Sequence, residues 1–229
     1  MKKIFLTVLM AGISVFGIAQ SKMSVELPDI NTVEVSGNII LKVISGDTNE
    51  LRGDVDYEIN NYLKWQLTDN ATLSIKLTKP LLKNNSEDNV ILYLTQKGLK
   101  SIAAKEGATV LSEDTLDFSS LRLSADGHST ISMDIEAKVV FAAANNKSKI
   151  VLHGESDFIV LNARYNSIIN AENLEVDIAN VDTFVSSECL INAREIVVTQ
   201  SNMNGTIKYR KGAEVVVPLT SNKKNIVEY

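Results

Sequence analysis

Setting Ser129 against Ser148, 19 residues further on, brings two stretches of the chain into correspondence. Ile131 then falls on Ile150, Met133 on Leu152, Val139 on Phe158 and Phe141 on Val160, and a further step of 19 carries Ile150 onto Ile169. "SIINAENLEV" from Ser167 corresponds to "CLINAREIVV" from Cys189 at an offset of 22, and in "GATVLSED" Val110 takes the place of Ile131. Apolar residues alternate within each unit, and the units recur every 15 to 23 residues. A unit this short presents only a few inward side chains and cannot bury them alone, so it must stack on its neighbours. Stacking at about 4.8 Å pairs the backbone of every coil with the next and joins the inward residues into one apolar column. The unequal spacing predicts bulges or coils of unequal length. Asn145, Asn146, Asn162, Asn166, Asn170, Asn180 and Asn192 lie near expected turns, which predicts asparagine ladders between coils.

The N-terminal part also reads as strand. "VEVSGNIILKVISGD" alternates through Val33 and Val35, then Ile39, Leu41 and Val43. "LKWQLTDNATLSIKL" places Leu63, Trp65 and Leu67 on one face and Leu73, Ile75 and Leu77 on a returning strand, an antiparallel hairpin closed by a short loop at Asp69 and Asn70. Leu81–Asn89 reads as a polar loop and Val90–Leu94 as another strand, and no long stretch keeps a period of 3.6. The expected fold is all-β, a right-handed parallel β-helix or β-solenoid with coils of about 20 residues. Strands and a hairpin over residues 27–98 precede the stacked coils of 99–217, and 218–229 form a tail.

"MKKIFLTVLMAGISVFGIAQ" has the parts of a secretory signal: Lys2 and Lys3, the apolar run Ile4 to Ile18, and small residues at its end. Cleavage is expected between Ala19 and Gln20, leaving residues 20–229 as one domain. The apolar run is short for a membrane span, no second one follows, and no cysteine stands at the junction to carry a lipid. The mature chain is thus expected to be soluble, with no transmembrane segment. The full chain has 23 basic and 28 acidic residues, and removing Lys2 and Lys3 leaves 21 against 28, a balance of −7. Such a surface has no counterion-release drive toward nucleic acid. A lone Cys189 closes no disulfide within the chain and reads as a buried, inert thiol.

A search for chemistry returns little. There is no Gly-x-Ser-x-Gly, His-Glu-x-x-His, Walker loop or dinucleotide fingerprint, and two histidines with one cysteine do not make a multi-histidine or structural zinc site. No catalytic, cofactor or metal residue is therefore assigned. His128 takes the place of Lys147 and Asn166 in the following coils, which marks a solvated turn. Asp134 and His153 share a register position and form the best acid–base candidate, weighed against an exposed ion pair. Asp54 and Asp56 lie on one face of an extended segment, without the further oxygens that calcium requires. Asp134, Asp157 and Arg164 are the candidates for sugar-cleaving chemistry, but they are spread along the coil. Tyr57 and Tyr62, near Trp65, offer a possible sugar-stacking platform, with Trp65 itself assigned to the core. The candidate binding surface is accordingly Tyr57, Tyr62, Asp134 and His153.

The order of these segments resembles the secreted bacterial family of putative auto-transporter adhesins with the head GIN domain. The similarity runs over roughly Leu27 to Val217. "NTVEVSGNIILKVISGD" and "DNATLSIKL" are similar to the family's opening strands, and "GTIKYRKGAEVV" to its closing turn and strand. The family's small-residue motif of the type Ser-Gly-Ala-Gly-Asp is degraded here to "KEGATV", "ADGHSTI", "ANNKSKI" and "SNMNGTI". With glycines replaced by His, Lys and Asn, individual turns are expected to differ in conformation. The resemblance implies a β-helix-like fold, a cell-envelope setting and no catalytic residues to carry over. It points to a non-enzymatic exported protein that binds a glycan or another protein, in the periplasm or at the outer surface. The alternatives are a periplasmic structural or envelope-stress module, docking through an open terminal coil near Val215 to Val217, and a polysaccharide-active enzyme. Oligomers are compatible with each reading.

Overall fold

The structure is a computed structural model and describes residues 21–55, 57–68, 70–78, 90–217 and 223–229. The signal segment with Ala19 and Gln20, Asp56, Asp69 and the Leu81–Asn89 loop lie outside the described residues.

The chain forms a β-solenoid of about six turns. Its long strands are β9 (Thr109–Asp126), β10 (Thr130–Ala144), β11 (Lys149–Arg164), β12 (Ile168–Phe184) and β13 (Glu188–Asn202), each paired in parallel with the next. Every one of them bends midway. In β10 the inward residues are Ile131, Met133, Ile135 and Ala137, and after Lys138 and Val139 the alternation resumes one residue out of phase at Val140, Ala142 and Ala144. The phase change divides each strand into a leading and a trailing arm, and each arm stacks into its own sheet. Between the two sheets, Ile131, Ile150, Ile169 and Cys189 form one column of the buried core, as the alternating sequence requires.

The stacking reaches N-terminal of Gly98. Strands β2 (Thr32–Ser36) and β3 (Ile39–Ser45) make one coil: β8 (Ser101–Lys105) joins β2 to the trailing arm of β9, and β3 pairs directly with the leading arm. Beyond it lie β6 (Thr72–Leu77) on β2 and β7 (Val90–Gln96) on β3, so a later stretch of chain sits outside an earlier one. This end is closed by antiparallel strands. The expected hairpin is β5 (Leu63–Leu67) on β6, with Leu63 opposite Leu77 and Leu67 opposite Leu73, and on the other sheet β4 (Asn49–Val55) pairs with β7 and β1 (Ser21–Leu27) with β4. One helical turn, α1 (Tyr57–Asn60), links β4 to β5. The other end is short: β14 (Thr206–Tyr209) and β15 (Glu214–Val216) pair with β13, and β16 (Ile226–Glu228) with β14.

The turn from a trailing arm to the next leading arm has one construction throughout. Two successive residues have positive φ: Gly127 and His128, Asn146 and Lys147, Tyr165 and Asn166, Val185 and Ser186, Met203 and Asn204. A left-handed pair reverses the chain tightly, at about 1–2 kcal/mol for each residue other than glycine. The expectation that turns without glycine would differ in conformation is therefore not met. The coils above and below hold the geometry whatever the residue, through bonds such as His128 N–H to Asn146 O, Lys147 N–H to Tyr165 O and Asn166 N–H to Val185 O.

The ladder beside these turns is of serine, not asparagine. Ser129, Ser148, Ser167 and Ser187 follow successive turns, each at most 2% exposed. The Ser129 N–H donates to Ser148 Oγ, that of Ser148 to Ser167 Oγ, and that of Ser167 to Ser187 Oγ, at 3.2–3.3 Å. The Ser129 hydroxyl donates in turn to Ala104 O at 2.8 Å and that of Ser187 to Phe184 O at 2.9 Å. These buried polar groups satisfy one another from coil to coil, which no apolar residue of that size does. Asparagines do not stack in this way: Asn162 pairs in register with Ala143 and Asp182, and Asn192 with Glu175. The serine column also corrects the offset of 22 at Cys189. Ser187 is the counterpart of Ser167, Cys189 stacks on Ile169 at an offset of 20, and the register then jumps so that Glu175 meets Asn192. The repeated "INA" is displaced by this irregularity.

Gly154 stands where the preceding coil has Ile135, with φ of 103°. A Cβ there would lie 2.1 Å from the Ile135 carbonyl oxygen. Gly154→Ala is expected to destabilise the fold by at least about 2 kcal/mol. Ser187→Ala, which leaves the buried Ser167 N–H without its acceptor, should cost about 1–3 kcal/mol. Exposed Ser120→Ala should stay within about 0.5 kcal/mol. Urea titration of the three variants measures these differences, and an unchanged midpoint for Ser187→Ala would remove the serine column from the account.

Candidate functional site

The bend between leading and trailing arms creates a shallow, open groove. Its floor is a column of small or flat residues in register, Phe118, Ala137, Ser156, Val176 and Ala193, each no more than 9% exposed. The residues just before the floor make one wall, and those just after it make the other. Two contiguous stretches, of about 480 and 460 Å3, share Glu155, Ser156 and Asp157 and run from β9 to β13.

The first wall is a column of acids. Asp117, Glu136, Glu155 and Glu175 are consecutive register partners, followed by Asn192, and all four carboxylate residues are exposed. Strand spacing sets them about 4.8 Å apart at the backbone. Two unit charges at that distance in water repel by about 1 kcal/mol, which splaying into solvent lowers further. The opposite wall carries Ser119, Lys138, Asp157, Asp177 and Arg194, with Arg194 bonded to Asp177 at 2.7 Å. At the C-terminal end Arg210 and Lys211 join the lining. The groove is thus acidic toward β9 and mixed in charge toward β13. Among the described residues, no three His, Cys, Asp or Glu side chains are gathered to hold a metal ion.

Asp134 and His153 are direct register partners on β10 and β11, as the 19-residue offset predicts. Both are half-buried and lie one turn of alternation before the groove wall, and neither makes an ion pair with a described residue. The Asp134 amide donates to Ser112 Oγ at 2.8 Å. Asp157 belongs to the groove, whereas Arg164 lies further along β11 and bonds Asp182 on β12 at 3.0 Å. Asp54 is exposed on β4, opposite Lys22. Tyr62 is 37% exposed beside β5, Trp65 is half-buried against the core, and neither lines the groove. The Tyr57 side chain lies outside the described residues. Of the candidate residues, the structure sets Asp134 and His153 in register on neighbouring strands and places Tyr62 apart from them, beside β5. It also assembles a carboxylate column that the same offset contains, since Asp117, Glu136 and Glu155 are 19 residues apart.

Other ionisable groups with shifted affinity are structural. The Ser36 hydroxyl and Lys76 hold the Glu106 carboxyl below its ordinary range, and a hydrogen bond with Glu113 raises Lys42. Glu113 and Asp114 stand in a bulge of β9, where Asp114 accepts the Ser45 amide. Cys189 is wholly buried in the core column. Burial, reinforced by the charges of Asp182 and Glu188, pushes its thiol far above the ordinary range.

A bent β-solenoid with a polar groove along its bend presents a repeat-built surface, extended rather than pocket-like. The chain belongs to the family described as "Putative auto-transporter adhesin, head GIN domain", whose model matches residues 29–213. Among solved structures it is similar to a protein described as a putative adhesin from Bacteroides fragilis NCTC 9343, with a TM-score of 0.72 at 15% identity, covering 91% of this chain and 92% of that one. A second, also described as a putative adhesin, from Parabacteroides merdae ATCC 43184, gives 0.64 at 16% identity over 91% and 95%. A third, described as a putative lipid binding protein from Parabacteroides distasonis ATCC 8503, gives 0.61 at 14% over 91% and 96%. At these identities the likeness is one of fold. No protein of curated function matches the sequence.

Because its thiolate is suppressed and covered, Cys189 should not react with a thiol reagent such as Ellman's at pH 8 while the protein is folded, and should react stoichiometrically in denaturant. Rapid reaction of the native protein would show that the coil carrying Cys189 opens.

Proposed function

We propose that this is an exported, non-catalytic protein of the cell envelope that binds an extended partner, a glycan or polypeptide strand, along the groove at its bend. The groove is the observation that carries the reading. Hydrogen-bonding and charged groups recur there at every coil from β9 to β13, so a polymer lying along the axis meets a similar contact about every 4.8 Å. Many weak contacts then add to one useful affinity. The change from acidic to mixed charge gives the groove a direction and favours a partner with cationic groups at one end. Family membership and the adhesin names of the structural neighbours support binding rather than catalysis. The N-terminal "MKKIFLTVLMAGISVFGIAQ" supports export, with cleavage between Ala19 and Gln20.

A periplasmic docking module is the second reading, favoured by the terminal coil. Val215 and Val217 pack on the core while Val216 is 49% exposed, and among the described residues no strand pairs with the outer edge of β15. An open edge of this kind is suited to strand addition by another protein.

Two experiments decide between them. Protease applied to intact cells should cleave the chain while a periplasmic control stays whole; full protection until lysis would retire the adhesin form of the proposal. In glycan-array and matrix-protein screens, Glu136→Gln with Glu155→Gln should weaken the captured ligand by about tenfold or more, with a smaller effect at high salt. Binding unchanged by the double variant would move the site elsewhere.

A further inference from the structure

The left-handed turns carry a second surface, on the edge where trailing arms pass into leading arms. In the first coils the leading position of each turn is polar or glycine: Glu106, Gly127 and Asn146. In the next three it is Tyr165, Val185 and Met203, with φ of 57°, 52° and 49°. Large or β-branched residues are outliers in this region. They are also badly placed for solubility, since Met203 is 64% exposed and Tyr165 47%. Ile168, which opens the following arm beside the same edge, is 41% exposed. Phe184 packs edge-on against the Tyr165 ring, with centroids 6.1 Å apart, and makes the stripe continuous between coils.

Cations border this stripe. Lys147 is the turn residue of the coil before Tyr165, and Lys149 is the register partner of Ile168. Of the acids nearby, Asp182 holds Arg164 and Glu188 holds Lys208, while Asp126 accepts the neutral Asn146 amide and keeps its charge. Among the described residues Lys147 and Lys149 have no ion-pair partner, and exposed His128 lies one coil further on. An otherwise acidic protein thus presents apolar and aromatic tips beside lysines without an ion-pair partner, along the edge of turns.

We infer that this edge docks on an anionic lipid surface. A bilayer closes around protruding side chains, whereas a folded protein partner needs a broad complementary face that a row of two-residue turns does not provide. The apolar tips enter the boundary between headgroups and acyl chains, with the Tyr165 ring at headgroup level, and Lys147 and Lys149 meet lipid phosphates. The inference goes beyond the groove, which lies at the other bend of the coil and stays open to its own ligand.

The test uses flotation of the purified protein with vesicles of phosphatidylcholine alone and of phosphatidylcholine mixed with phosphatidylglycerol. The wild-type chain should float with the mixed vesicles and much less with the neutral ones. Tyr165→Asn, Val185→Asn and Met203→Asn combined place a turn-tolerant residue at each strained position, so the fold should be kept, as circular dichroism and thermal midpoint check. This variant should lose binding to mixed vesicles by about tenfold or more. Lys147→Gln with Lys149→Gln should erase the preference for the anionic lipid while leaving any weak neutral binding in place. Failure of the wild type to float with either vesicle overturns the inference, as does equal flotation of a folded triple variant. A wild-type dimer in light scattering that the triple variant converts to monomer, with no lipid binding, assigns the stripe to a second copy of the chain and overturns it as well.

Discussion

Parallel pairing in register between successive coils is the constraint on which the rest of the molecule depends. Each inner strand gives its amides and carbonyls to the coil on either side, and a buried backbone group without a partner is costly. A coil therefore cannot slide by one residue without turning its inward side chains to solvent and breaking two ladders together. Extra residues must be expelled. Glu113 and Asp114 leave the ladder in a bulge of β9, and the register of β12 against β13 jumps between Ala171 and Glu175. The same locking holds Tyr165, Val185 and Met203 in a backbone conformation that their side chains disfavour.

The parts of the fold that repeat were legible, and those defined by exceptions were not. Ile131 on Ile150 on Ile169 can be read from one offset because buried positions tolerate only apolar residues. The hairpin of β5 and β6 was equally plain from its alternation around a polar loop. The N-terminal coils were hidden because their spatial order, β6–β2–β8, is not their order along the chain. Serine was passed over as a ladder residue because burial, not composition, gives its hydroxyl that role. At the groove the four register-matched acids were in view at the offset of 19 and 20, but outward acids on a strand read as solvated charge until the bend of the coil faces them into a common trough. Asp134 and His153 show the converse, since sharing a register position does not make a side-chain pair.

The two ends of the solenoid are finished differently. At the N-terminal end, antiparallel β5 and the β4–β1 pair turn the final ladders over to strands whose direction does not continue the parallel stack. This blunts the template that an open parallel edge offers to another chain. At the C-terminal end the last described strands, β15 and β16, have three residues each and leave Val216 and Val227 exposed. Brevity limits strand addition there, but it gives that end less ladder to hold it closed. Opening of the structure should therefore begin at β15 and β16 and spread toward β13.

The two long edges of the coil answer to different physics, and this separates what they display. At the bend, strand geometry continues, so the groove walls are confined to residues that fit a strand, and their charges face one another across a small-residue floor. At the turn, both residues project from the body of the protein and contribute almost nothing to the core, so side-chain identity there is free of packing. Backbone strain alone would fill such positions with glycine and asparagine, as at Gly127 and Asn146. Tyrosine, valine and methionine in the next three coils cost backbone energy and, for two of them, also exposure. Their clustering at one end of one edge is what an external surface covering that end would offset. The solenoid supplies the spacing for both edges, and the turn residues that break its local preferences are the ones on which the proposed docking rests.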